Sequence, residues 1–129
     1  SRMSLMMPAR NIKMDGARLV EWQAQTSAGP LPRGDSPTIL LGEKHVPWSK
    51  FGAVAVGDGS LYNGDYPESA ARVGGPKHGL AQSIHDPYNA NFGSYHPRLC
   101  QFLMADGSVK SFDTSVGADV LGKLTNRHP

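Results

Sequence analysis

The sequence predicts an α+β fold in which an antiparallel β-sheet dominates and a short helix closes the C-terminus. Three observations predict it. First, LCQFLMA (99–105) and SVKSF (108–112) flank Asp106-Gly107, and Cys100, Phe102 and Met104 alternate with Gln101, Leu103 and Ala105. Second, two more apolar stretches of strand length occur at 38–46 and 51–56. Third, Val116, Val120, Leu121 and Leu124 recur at helical spacing.

The chain has 129 residues, the size of one domain, read here as 1–129. Its 15 glycines and 10 prolines imply many turns and short elements. A formal charge of +2 with no basic run gives no electrostatic footprint for nucleic acid. Cys100 is alone, so no intrachain disulfide can form; the residue reads as a small buried hydrophobe on a strand. No apolar run approaches the ~18 residues of a membrane span. Leu5, Met6 and Met7 make too short a run for a signal-peptide core.

In chain order, residues 1–16 read as an irregular lead-in or edge strand. In 17–26, Val20, Trp22 and Ala24 alternate with Glu21, Gln23 and Gln25, which favours a strand, although Ala17, Val20 and Ala24 also fit a helix. The segment 27–37 has three prolines and two glycines and is a loop. In 38–46, the run Ile39-Leu40-Leu41 marks a buried strand, and Gly42 permits close backbone approach or a bulge. FGAVAV (51–56) reads as a second apolar strand closed by the Gly-Asp-Gly turn at 57–59. Residues 57–95 form a long excursion without period, expected to be ordered by Tyr62, Tyr66, Tyr88, Phe92 and Tyr95. The 99–112 hairpin turns at Asp106-Gly107, the dipeptide of a two-residue type I′ turn with positive φ at both positions. Within the terminal helix Gly122 costs ~1 kcal/mol relative to Ala.

The polar residues around this frame are the candidates for chemistry. His96 and Asp106 bracket one strand and would stand about 30 Å apart if it is extended, which argues against a dyad. His96 instead points to a structural partner where the excursion joins the sheet. Glu43 is the expected one, in a buried or half-buried charge-assisted pair of Glu43 with His96 or Arg98 that fixes register. The five histidines lack zinc-site spacing. Asp58, Ser60, Asn63 and Asp65 offer oxygen ligands for calcium without matching the EF-hand spacing, so a plain turn is the simpler reading. GGPKHG (74–79) lacks the spacing of a phosphate loop, and no serine sits in a nucleophile elbow. No catalytic residue is assigned and no cofactor is required. Trp22, Trp48 and the tyrosines could line a carbohydrate groove, but residues of this kind more often pack in a core or pin a loop.

YHPRLCQFLMADGSVKSF resembles the H-x9-D-G line of a large bacterial family known mainly from planctomycetes, whose full-length members carry a prepilin-type processing segment. Phe92, Ser94, His96, Pro97, Phe102, Asp106, Gly107, Ser108 and Val109 match its pattern F-x-S-x-H-P-G-G-x-x-F-x-F-x-D-G-S-V. Arg98-Leu99 replaces the glycine pair, so a tight glycine turn after His96 is not expected. GDSPTILLGEKH resembles a second family line through Thr38, Ile39, Gly42, Glu43 and Lys44, and DVLGKLTNR resembles the short helix that follows.

The resemblance implies the globular head of a pilin-like or pseudopilin-like subunit, lacking the N-terminal hydrophobic helix that anchors such proteins. It implies a non-enzymatic structural role in an envelope filament or secretion apparatus, with other pilin-like subunits or envelope proteins as partners. Full-length, the protein would be anchored in the inner membrane, its head on the periplasmic or extracellular face. Some pseudopilins hold calcium in a C-terminal loop. An alternative is an extracellular module that binds a glycan or peptide through Tyr62, Tyr66, Tyr88 and Tyr95 of the 57–95 excursion.

Overall fold

The structure is a computed structural model and describes residues 2–3, 10–16, 18–23, 38–60 and 69–126. The predicted 27–37 loop lies outside these residues, as do Tyr62, Asn63, Asp65 and Tyr66 of the excursion.

Among the described residues seven strands and one α-helix follow in order: β1 (Arg2–Met3), β2 (Arg10–Asp15), β3 (Arg18–Gln23), β4 (Ile39–Gly42), β5 (Arg72–Val73), β6 (Leu99–Met104), β7 (Val109–Asp113) and α1 (Ala118–Thr125). A three-strand antiparallel sheet ordered β4-β6-β7 forms the centre. The period-2 pattern of β6 decides its two faces. Cys100, Phe102 and Met104 are buried, whereas Leu99 and Gln101 are exposed. Against the buried face pack Ile39, Leu80, Phe92 and Leu121. Phe92, Phe102 and Phe112 form two edge-to-face pairs with centroids 5.3 and 5.5 Å apart, the geometry ring quadrupoles favour. Helix α1 contributes the fully buried Leu121 and Thr125, with Asp119 in its first turn and Lys123 in its last, both signs matching the helix dipole.

Gly42 has a packing reason. A Cβ there would lie 2.6 Å from the Phe102 ring and 2.8 Å from that of Phe92. The absent side chain lets both rings close on the end of β4.

The hairpin differs from its predicted turn. Gly107 has φ +83°, but Asp106 does not have positive φ. Gly107 N–H donates to Met104 O at 3.0 Å and Met104 N–H to Ser108 O at 2.8 Å. This is a three-residue loop with glycine in the bulge position, not a two-residue type I′ turn. The Asp106 carboxylate explains the choice, because it accepts the Ser108 N–H at 2.9 Å and the Ser108 hydroxyl at 2.6 Å, which favours an ordinary negative-φ Asx turn.

Two further expectations change. The 51–56 run is not a strand: Val54–Val56 is one 3-10 turn, and Phe51 and Val54 are exposed. Gly52 at φ +77° and Gly57 at φ +84° bound the segment, and an Ala53 N–H bond to Lys50 O curls it before any partner strand can pair. The 38–46 strand ends at Gly42, beyond which Lys44 makes one isolated bridge to Phe92. Residues 10–15 and 18–23 pair as an antiparallel hairpin through Asp15 and Arg18, so of the two readings of 1–16, irregular chain or edge strand, residues 10–15 take the strand. Among the described residues no helix is long and apolar enough to cross a membrane.

Candidate functional site

Glu43 is the first residue past β4 and sits where three segments meet. Its N–H donates to Gln101 O at 3.2 Å, and its carbonyl accepts the Gly93 N–H at 3.0 Å. Its carboxylate Oε2 accepts the Gln101 N–H at 2.7 Å, while Oε1 lies 3.6 Å from His96 Nε2. The structure therefore brings Glu43 and His96 together and leaves Asp106 in its own turn. The pair is not buried: the His96 side chain is 62% exposed and that of Glu43 33%. Pro97 follows His96 on the exposed approach to β6, where water replaces any enclosing wall. Arg98 pairs not with Glu43 but with Asp113, at 3.4 Å and in solvent.

Arg98 also has φ +58°, the left-handed region. The glycine turn that the substitution of Arg98-Leu99 had made unexpected is present in shape, with an arginine in it. The bond from Thr114 N–H to Arg98 O, 2.9 Å, closes β7 against the start of β6 and holds the residue there.

Cys100 faces the core. Burial, with the Glu43 charge nearby, pushes its thiol up to about 12, so it has no thiolate chemistry at neutral pH.

The excursion is organised by Arg72, a residue sequence reading passed over. It is 1% exposed and donates to the carbonyls of Ala71, His45 and Gly57 at 2.8, 3.2 and 2.7 Å. Its guanidinium lies 5.6 Å from the centre of the Tyr88 ring, and burial lowers its pKa. Five donors in a fixed fork suit one arginine to gathering several loop carbonyls. Tyr88, named for a binding surface, is thus packed against this buried cation. His45 is 2% exposed, and its Nε2–H donates to Asp86 O at 2.8 Å. No local signal marks either residue, because their partners lie far along the chain.

Asp58, named for calcium, has both oxygens occupied. One accepts the Gly52 N–H and the other meets Lys44 Nζ at 3.2 Å; that N–H bond, with Lys44, holds the carboxyl below its ordinary value. The lysine, which also donates to Gly59 O at 2.9 Å, stands where a cation would be needed. Ser60 is exposed. Among the described residues no group of three His, Cys, Asp or Glu side chains could hold a metal ion.

Tyr95 belongs to a surface cluster that sequence reading did not assemble. Its ring lies 5.5 Å from Phe51 and 6.4 Å from Trp48, and Trp48 lies 6.4 Å from both Phe51 and His85. Trp48 is 54% exposed, Phe51 59% and Tyr95 43%. The Tyr95 hydroxyl donates to Val46 O at 3.0 Å and the Trp48 N–H to Ile84 O at 2.7 Å, fixing the cluster to the excursion. The missed signal was the turn pattern in PWSKFGA, whose apolar letters read as the start of a strand.

On the sheet's outer face, Leu41 pairs with Leu103 and Leu103 with Val109, so three apolar side chains cross the sheet in register. Leu41 is 43% exposed and Val109 67%.

A family model, SBP_bac_10, described as a protein of unknown function (DUF1559), matches residues 7–119. Neither the curated proteins nor the solved structures give a match.

Proposed function

We propose, for a chain that belongs to the SBP_bac_10 family of unknown function, DUF1559, that it is the globular head of a pilin-like or pseudopilin-like subunit. It works by assembly in the cell envelope and not by bond-breaking. Its partners are other pilin-like subunits, met through the outer face of the sheet.

The observation that carries this reading is the Leu41–Leu103–Val109 row, with Leu99 exposed on the same face of β6. Apolar side chains aligned across three strands and left in water are a cost in an isolated domain and an asset at an interface. The H-x9-D-G line supports the same reading by resemblance. The polar residues nearby are spent on structure: Glu43 on Gln101, Asp106 on Ser108, and Asp58 on Gly52 and Lys44. The two described excursion tyrosines do not favour a glycan- or peptide-binding module, since Tyr88 packs against Arg72 and the Tyr95 hydroxyl is bonded to Val46.

The test is to purify the full-length protein from the envelope of cells that produce it, under mild detergent. Recovery in a high-mass assembly with pilin-like subunits is expected. Recovery only as a free monomer, or hydrolytic turnover that depends on His96, would count against it.

A further inference from the structure

The turn that carries Trp48 and Phe51 is built to hold aromatics outward. Lys50 N–H donates to Pro47 O at 3.0 Å with Ser49 at φ +67°, and Ala53 N–H donates to Lys50 O at 3.1 Å with Gly52 at φ +77°. Each is a four-residue turn with positive φ at its third position, the type II pattern. Two such turns in succession share Lys50 and place an aromatic at the second residue of each: Trp48, then Phe51. A turn corner is where a side chain has least protein around it, so the exposure follows from the backbone. Ser49 keeps a conformation that a non-glycine residue resists, and strain of this kind concentrates at functional loops.

Charge decides what the loop suits. Residues 47–57 contain one ionisable group, Lys50, and it is exposed between the two aromatics. Of the acids nearby, Asp58 is neutralised by Lys44, while Asp86 is turned toward the backbone of its own loop. Asp58 is tied to Gly52 and Lys44, and Asp86 Oδ2 accepts the N–H groups of Gln82 and Ser83 at 2.8 and 3.3 Å. The loop itself therefore presents apolar rings and one positive charge, with Asp58 already paired to Lys44. The rings are mutually tilted by 38–78°, so they offer a knob and not the flat platform a sugar face stacks on.

From this geometry we infer that the 47–54 turn is a membrane-interface docking loop: Trp48, Phe51 and Val54 enter the headgroup boundary of a bilayer and Lys50 contacts anionic lipid. Indole and phenyl rings settle at that depth, and a lysine beside them favours anionic over zwitterionic surfaces. The inference does not depend on the assembly reading, since the sheet's outer row and this turn share no residue.

The test is co-sedimentation of the 129-residue chain with vesicles of phosphatidylcholine alone or with phosphatidylglycerol, at low salt. Binding to the anionic vesicles is expected. Trp48→Ser with Phe51→Ser should weaken it on the order of tenfold or more, from lost apolar burial. Lys50→Glu should weaken binding to anionic vesicles by about tenfold and leave the neutral ones unchanged. Brominated lipid should quench the wild-type fluorescence more than that of Trp48→Phe, a variant that keeps an aromatic at the corner. Circular dichroism of each variant checks the fold. No binding, binding indifferent to Trp48 and Phe51, or an effect of the double variant on self-association or sugar binding alone overturns the proposal.

Discussion

The Glu43 carboxylate accepts the Gln101 backbone N–H at 2.7 Å, across 58 positions of sequence. This bond, more than the longer contact to His96, ties the end of β4 to β6. Removing a charged acceptor leaves that N–H to a weaker partner, so Glu43→Ala should cost about 1–2 kcal/mol. His96→Ala removes only an exposed 3.6 Å contact to the Glu43 carboxylate and should cost ~0.5 kcal/mol or less. Urea denaturation of the two variants checks the ordering; equal losses, or a greater one for His96, would show the carboxylate acting mainly through the imidazole.

Gly107 at φ +83° has no atom within 4 Å of where a Cβ would sit. The cost of a side chain there is backbone strain without a clash. Gly107→Val should destabilise by roughly 1–3 kcal/mol, since a β-branched residue resists positive φ. A thermal melt unchanged from wild type would contradict the turn assignment.

Arg98 stands at φ +58° and its ion pair with Asp113 is in solvent. Relief of left-handed strain should outweigh that pair and the added freedom of the unfolded chain, so Arg98→Gly should stabilise by about 0.5 kcal/mol. Equilibrium unfolding reads the sign directly, and a loss would show that the guanidinium matters more than the backbone.

Three carboxyls are held below their ordinary values: Asp58 by the Gly52 N–H and Lys44, Asp106 by Ser108, and Asp113 by Ser115 and Arg98. A depressed folded pKa contributes stability that is present above the unfolded value and lost as pH falls through the folded one. Stability should therefore decline below about pH 5, the onset of carboxylate protonation. Asp58→Asn should be less stable than wild type at pH 7, and the gap should close in acid. A gap that is constant from pH 7 to pH 2.5 would remove the Lys44–Asp58 pair from the account.

Where a residue's environment is decided locally, the sequence was readable. Alternation in 99–105 marks the buried face of β6, and the spacing of Leu121 and Leu124 marks the helix. The turn at Asp106-Gly107 was located but mistyped, because the Ser108 hydroxyl and N–H reshape it through the Asp106 side chain. Asp15-Gly16 is the same dipeptide, yet its flanks lack clear alternation, so 1–16 reads only as irregular chain or edge strand and the pairing of 10–15 with 18–23 is not legible. FGAVAV has strand composition, but composition cannot show that two turns consume it. Arg72, His45 and Glu43 act through carbonyls and amides 15 to 58 positions away, which no local pattern records.

The central claim is that the outer sheet face is an assembly surface. Cys100 is buried and its thiol is pushed up to about 12, so a thiol introduced elsewhere can be probed without interference. The decisive measurement is cross-linking by a membrane-permeant bis-maleimide, in intact cells, of full-length protein carrying Val109→Cys. Lys77→Cys, exposed at a turn apart from the sheet, serves as control. A discrete higher-mass product joining Val109→Cys to a pilin-like partner is expected, with little from the control. Equal, diffuse cross-linking of both, or none from Val109→Cys, would contradict it.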